Sequence, residues 1–204
     1  MDLESNKWTE IEAKGKEKLP GHSSHTLTLF ENKLITVGRQ SGQRRWSDTH
    51  SLDLSTKQWK LENSKVKSRS GHSATLYNDK VYIWYVNDVC SFMETRGGRK
   101  SSDIDIINTN TLTSSSFSFI NGPLGSAHHG SCLIPNTPLL LVYGGIIASV
   151  TSLKDIQLLN LGKQVTKLLT QIPDTLRWNT PHITGNPPPC YGHTMTLIEN
   201  KIYV

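Results

Sequence analysis

The chain has 204 residues, 35% of them hydrophobic, and a formal net charge of +5. This length suits one domain with a sizeable core, and its 22 serines and 20 threonines favour turn-rich β structure over long helices. The longest apolar stretch, Leu139 to Ala148, is ten residues with two glycines inside it, too short for a membrane-spanning helix. The N-terminal MDLESNKWTE has no apolar core, so no secretory leader is expected. Cys90, Cys132 and Cys190 are far apart and form no Cys-x-x-Cys pair, which argues against a disulfide framework and against structural zinc. With no Asn-x-Ser/Thr sequon either, a cytoplasmic or nuclear setting is expected. The charge is uneven: residues 1–100 hold 17 Lys/Arg against 12 Asp/Glu, and residues 101–204 hold five of each.

In chain order, Trp8-Thr-Glu-Ile11 reads as a short strand. A unit then begins at His25-Thr-Leu-Thr-Leu29, turns at Asn32-Lys33 and continues in Leu34-Ile-Thr-Val37. Asp48-Thr-His-Ser-Leu-Asp53 and Trp59 complete it. The second unit repeats the series with His72-Ser-Ala-Thr-Leu76, Asp79-Lys80, Val81-Tyr-Ile-Trp84 and Asp103-Ile-Asp-Ile-Ile-Asn108, with Phe117 where a tryptophan is expected. The third has His129-Gly-Ser-Cys-Leu133, Leu139-Leu-Leu-Val-Tyr143, Gly144-Gly145, Asp155-Ile-Gln-Leu-Leu-Asn160 and Trp178. A fourth opens with His193-Thr-Met-Thr-Leu197 and Ile202-Tyr-Val204. The histidines are 47, 57 and 64 residues apart, and Trp8, Trp59 and Trp178 precede theirs by 17, 13 and 15.

Each unit reads as four short strands, a to d: a about 72–77, b about 80–85, c about 103–108 and d about 59–61. The Asn/Asp-Lys pairs make the a–b turns, because Asn and Asp tolerate a left-handed backbone. Four strands per ~50 residues, repeated, is the signature of a β-propeller blade, and no blade can bury both faces of its own sheet. Gly144-Gly145 after Leu-Leu-Leu-Val-Tyr, the in-register Asp48, Asp103 and Asp155, and the tryptophans resemble kelch repeats. The fold class is therefore all-β: an incomplete kelch-type β-propeller of about three full blades with partial blades at both ends. Residues 8–11 read as strand d of a preceding blade, 25–61, 72–119 and 129–183 as blades, and 193–204 as the start of another. Only the third unit keeps both glycines; the first has Gly38-Arg39 and the second Tyr85-Val86. The third carries an insertion of about a dozen residues between c and d, near 161–177. The resemblance implies that the chain is part of a longer ring.

In a propeller the b–c and d–a loops share one face, and kelch proteins commonly bind partners there. Here the first b–c loop carries Arg39, Arg44 and Arg45, the adjoining d–a loop carries Lys65, Lys67 and Arg69, and the second b–c loop carries Arg96, Arg99 and Lys100. These residues form a candidate basic rim for a protein partner, in particular an acidic or phosphorylated peptide whose carboxylates Arg forks pair bidentately. The competing reading is a set of solvated loop charges. His25, His72, His129 and His193 read as a structural periodicity rather than metal ligands, and the three Asp as turn and strand-start caps. The tryptophans read as packing between blades and Cys132 as a small buried residue. Cys190 sits near the loop face with no evident base. No catalytic motif or cofactor-binding loop occurs, so no cofactor, no metal and no catalysis are expected. Nucleic-acid binding is not expected, because the basic residues are not interleaved with aromatics, and no membrane partner is expected in the absence of a membrane-spanning stretch. A metal-dependent enzyme and an inert scaffold are the alternatives.

Overall fold

In the computed structural model the described residues are 4–14, 21, 23–41, 44–64, 66–68, 71–86, 102–119, 122–123, 125–147, 151–162 and 176–204. They contain sixteen strands and no helix. Blade 1 is β1 (Thr26–Phe30), β2 (Lys33–Ser41), β3 (Arg44–Asp53) and β4 (Gln58–Glu62), hydrogen-bonded in that order. Blade 2 is β5 (Ser73–Tyr77), β6 (Lys80–Val86), β7 (Ser102–Asn108) and β8 (Ser114–Ser118). Blade 3 is β9 (Gly130–Leu133), β10 (Leu139–Tyr143), β13 (Ile156–Asn160) and β14 (Arg177–Asn179), with a small ribbon of β11 (Ile146–Ile147) and β12 (Thr151–Ser152) in its b–c connection. A hairpin of β15 (Thr196–Ile198) and β16 (Lys201–Tyr203) follows. The fold is that of a kelch-type propeller in part: three complete blades, all antiparallel, and a half-blade.

Alternation along each strand builds the core. On β6, Val81 and Ile83 point back to blade 1 and pack with Ile35, Val37 and Ile107. The intervening Tyr82 and Trp84 point forward and pack with Leu140, Val142 and Leu159 of blade 3. Because both faces of a middle blade are buried, its strand b reads as a continuous apolar run rather than an alternating one. Trp178 packs between blades as expected, with ring centroids 5.0 Å from Trp84 and 5.9 Å from Phe119.

The structure corrects several details. In the a–b turns the positive φ falls one residue before the Asn/Asp-Lys pair, on Glu31, Asn78 and Glu199 (49°, 51° and 55°). Phe117 does not take the tryptophan position: Trp59 and Trp178 oppose Leu52 and Leu159, whereas Phe117 opposes Ile104, three residues further along strand d than the matching Ser114. Trp8 is 82% exposed, and residues 8–11 form no strand. Further on, Lys14 bridges Gln58 of blade 1 in parallel. The c–d insertion falls on residues 163–175, outside the described residues.

The Asp/Asn that ends each strand c is explained by the c–d turn. Asp53 accepts from the backbone N–H of Ser55 and Thr56 at 3.0 and 2.8 Å, Asn108 from those of Asn110 and Thr111 at 3.0 Å each, and Asn160 from that of Gly162 at 2.9 Å.

Candidate interaction face

Blade 1 carries the basic residues on strands, not in a loop. Pairing in the β2–β3 hairpin continues past an irregularity at Gly38, so Arg39 opposes Trp46, Gln40 opposes Arg45 and Ser41 opposes Arg44. Gly38 takes φ 59°, which a Cβ would resist, and lets the strand bend. Arg39 is consequently buried. Its Nε donates to both Asp48 carboxylate oxygens at 3.2 and 3.1 Å and its Nη2 donates at 2.8 Å, while its guanidinium lies 4.5 Å above the Trp46 ring. Burial alone would push the Asp48 carboxyl up; the Arg39 fork and its charge outweigh that and hold it below the ordinary carboxylate range. Asp48 thus anchors Arg39 rather than capping a strand start.

Lys67 is bound in a similar way on the d–a connection. Its ammonium pairs with Asp103, and its backbone N–H donates to Asp105 Oδ2 at 2.8 Å. This connection and the β2–β3 hairpin meet where Ser68 Oγ donates to the Arg45 carbonyl at 3.4 Å. Arg45 is half-buried, and Arg44 lies beside it on β3. Lys65, Arg69, Arg96, Arg99 and Lys100 lie outside the described residues. Glu62 is buried, accepting from Ser51 Oγ at 2.6 Å and from Lys60 Nζ at 3.0 Å. Sequence reasoning missed the partners of Arg39 and Lys67. Arg39 and Asp48 form a diagonal cross-strand pair, which becomes visible only once β2 is extended beyond Val37.

The repeat histidines latch blade to blade. His72 Nε2 lies 2.9 Å from Thr26 Oγ1, His129 Nε2 lies 2.8 Å from Ser73 Oγ, and His193 Nε2 accepts from the Gly130 N–H at 3.1 Å. In each case the partner is the residue immediately after the previous blade's histidine. The residue before each histidine has a left-handed backbone: Ser24, Gly71, His128 and Gly192, with φ of 57°, 66°, 56° and 68°. These residues form a ladder, Gly71 N–H to Ser24 C=O at 3.2 Å, His128 N–H to Gly71 C=O at 2.8 Å and Gly192 N–H to His128 C=O at 2.8 Å. A cavity of about 230 Å³ opens beside it, lined by these residues and the four repeat histidines. Among the described residues no three His, Cys, Asp or Glu are grouped to hold a metal ion. Burial pushes His129 down to about 4, against the Ser126 carbonyl that its Nδ1 faces at 2.8 Å, so the ring is neutral near pH 7.

Gly144 and Gly145 (φ 67° and 96°) seat the d–a connection entering the last hairpin. A Cβ on Gly144 would come within 2.5 Å of the Cys190 carbonyl. Gly145 N–H donates to that carbonyl at 2.8 Å, and Gly144 N–H donates to the Asp155 carbonyl at 3.2 Å. Cys190 is half-buried with Sγ 4.0 Å from His193 Nε2, a neighbour three residues on that the sequence reading did not pair with it. Cys132 is half-buried on β9, and burial pushes its thiol up.

Comparison with known proteins agrees with this architecture. The chain is 27% identical over 199 residues to the human Rab9 effector protein with kelch motifs, covering 90% of this chain and 47% of that protein. It is 24% identical over 144 residues to rat host cell factor 1, covering 54% of this chain and 7% of that protein. The solved structure of YjhT superposes with a TM-score of 0.61 at 13% identity, over 82% of this chain and 54% of that one. No family model matches the sequence. Four-stranded antiparallel blades in series make this a β-propeller chain. Its in-register repeats resemble kelch repeats, and it spans about half the length of the Rab9 effector relatives with kelch motifs that it matches. The first of these relatives is named as an effector of Rab9 with kelch motifs. Among the described residues no helix is long and apolar enough to cross a membrane.

Proposed function

We propose that the chain is a non-catalytic protein-interaction module that captures an acidic segment of a partner on the face formed by the β2–β3 hairpin and the connection from β4 to β5. The observation that carries this reading is the meeting of those two basic segments at the Ser68–Arg45 contact. Rigid strands beneath them hold the loops in place, so that binding orders little additional chain. Arg39 and Lys67 serve the platform through Asp48 and Asp103. Capture falls to Arg44, Arg45, Lys65 and Arg69, with Arg96, Arg99 and Lys100 from the next b–c connection. Guanidinium forks suit carboxylate and phosphate oxygens.

The test is charge reversal of Arg44, Arg45 and Arg69 together, read by fluorescence anisotropy with a labelled peptide of alternating Glu and phosphoserine. Binding is expected to weaken by about tenfold or more and to fall as salt rises. Unchanged affinity would overturn the reading.

A further inference from the structure

The connection from β4 to β5 crosses the basic face anchored on both sides. Val66 is 5% exposed, the Lys67 N–H donates to Asp105 Oδ2 at 2.8 Å, and the Gly71 N–H donates to the Ser24 carbonyl at 3.2 Å. Between these anchors Ser68 is exposed and belongs to no strand, whereas Ser64, four residues earlier, is buried. The Ser68 hydroxyl meets the β2–β3 hairpin, where it donates to the Arg45 carbonyl at 3.4 Å. Basic residues flank it in sequence: Lys65, Lys67 and Arg69, at positions −3, −1 and +1. This hydroxyl is no part of the repeat. Three residues before the left-handed positions Ser24, Gly71, His128 and Gly192 stand Gly21, Ser68, Gly125 and Pro189.

We propose that Ser68 is a phosphorylation site for a kinase that reads basic residues, and that its phosphate switches the basic face off by occupying it. The proposal rests on the reading of that face as the capturing surface. An exposed hydroxyl on a segment without regular structure, set among positive charges, suits a kinase whose selectivity lies in charge pattern. The kinase transfers the γ-phosphoryl group of MgATP. The bond from Ser68 Oγ to phosphorus forms, the bond from that phosphorus to the bridging oxygen breaks to leave ADP, and the hydroxyl proton passes to a carboxylate of the kinase. The phosphate carries a charge of about −2 at pH 7 and strong acceptor oxygens. Oγ then no longer donates to the Arg45 carbonyl, and the new group turns instead to the guanidinium of Arg45 and that of Arg69, its neighbour in sequence. Arg39 and Lys67 stay with Asp48 and Asp103. A phosphate on the same chain meets these forks at an effective concentration in the millimolar range, so it displaces an acidic segment of a partner at micromolar concentration.

The probe is the protein with phosphoserine installed at position 68 during synthesis, titrated with the labelled Glu/phosphoserine peptide beside the unmodified protein. Capture is expected to weaken about tenfold or more, and to return when a phosphatase treatment precedes the titration; misfolding by mutation cannot mimic that reversal. Equal affinity of the two forms overturns the proposal. Phosphorus NMR reads the phosphate without any partner. Its second pKa should lie below the value of about 6 for free phosphoserine and return towards it in Arg45→Gln. A phosphate that titrates at about 6 in both overturns the proposal, whereas failure of the unmodified protein to bind the peptide overturns the capturing reading instead. Protein kinase C with MgATP should label the unmodified chain at Ser68 and lose that label in Ser68→Ala. No label, or label confined to other residues, overturns the assignment of Ser68.

Discussion

The histidine seam and the basic face use polar groups in opposite ways. Along the seam the arrangement is identical from blade to blade: a left-handed residue, a histidine and a partner one residue beyond the previous histidine. His72 and His129 are buried, and their hydrogen bonds join blades. On the basic face the acids Asp48 and Asp103 repeat in register but their basic partners do not. The Arg39–Asp48 pair lies within one blade, and Lys67–Asp103 ties a connection to the next blade. In-register repetition marks what every blade needs in order to stack. Departure from the repeat marks what belongs to this protein, and the search for function belongs there.

The seam is broken most severely through Trp84. It is 2% exposed, its ring centroid lies 4.3 Å from that of His129, and it fills the space between blades 2 and 3 with Trp178. Trp84→Ala is expected to cost about 3–5 kcal/mol, since a buried aromatic leaves a cavity that the blades cannot close. Urea unfolding measures it. A loss below about 1 kcal/mol would show that the interface contributes little to stability.

Acid should break the same seam without mutation. His129 titrates at about 4 in the fold against 6.5 for an ordinary histidine. Between those values the unfolded chain binds the proton that the fold excludes. The contribution is therefore complete above about pH 6.5 and lost as pH falls towards 4, amounting to about 3 kcal/mol. His129→Gln should lower stability at pH 7 and flatten this part of the stability–pH curve. An unchanged slope would show that His129 is not the group responsible.

How much of this could be read in the sequence follows the same division. Strands, blade order and the His/Asp/Trp periodicities were legible because each blade buries the same positions, so the pattern recurs in the chain. The left-handed step before each histidine was not, because two of its four residues, Ser24 and His128, are not glycine. Trp8 matches the strand-d pattern, yet residues 8–11 form no strand. The basic residues were found by their charge alone. Their partners were not, since Asp48 was assigned to the repeat and the bend at Gly38 placed Arg39 on a strand instead of in a loop.

The smallest effects sharpen the comparison on the basic face itself, between two arginines six residues apart. Arg39→Ala leaves the Asp48 carboxylate largely buried without its fork and uncovers Trp46; a loss of about 1–2 kcal/mol is expected. Part of that loss should vanish in acid. Arg39 holds the Asp48 pKa below its usual value, so the pair's contribution is present above about pH 4 and disappears as the carboxylate is protonated below it. Arg45→Glu should cost less stability than Arg39→Ala while weakening capture of the acidic peptide. Chemical unfolding and peptide anisotropy on the same two variants separate the roles. If Arg45→Glu destabilises the fold as much as Arg39→Ala does, Arg45 belongs to the platform and the capturing surface shifts to the connection carrying Lys65 and Arg69.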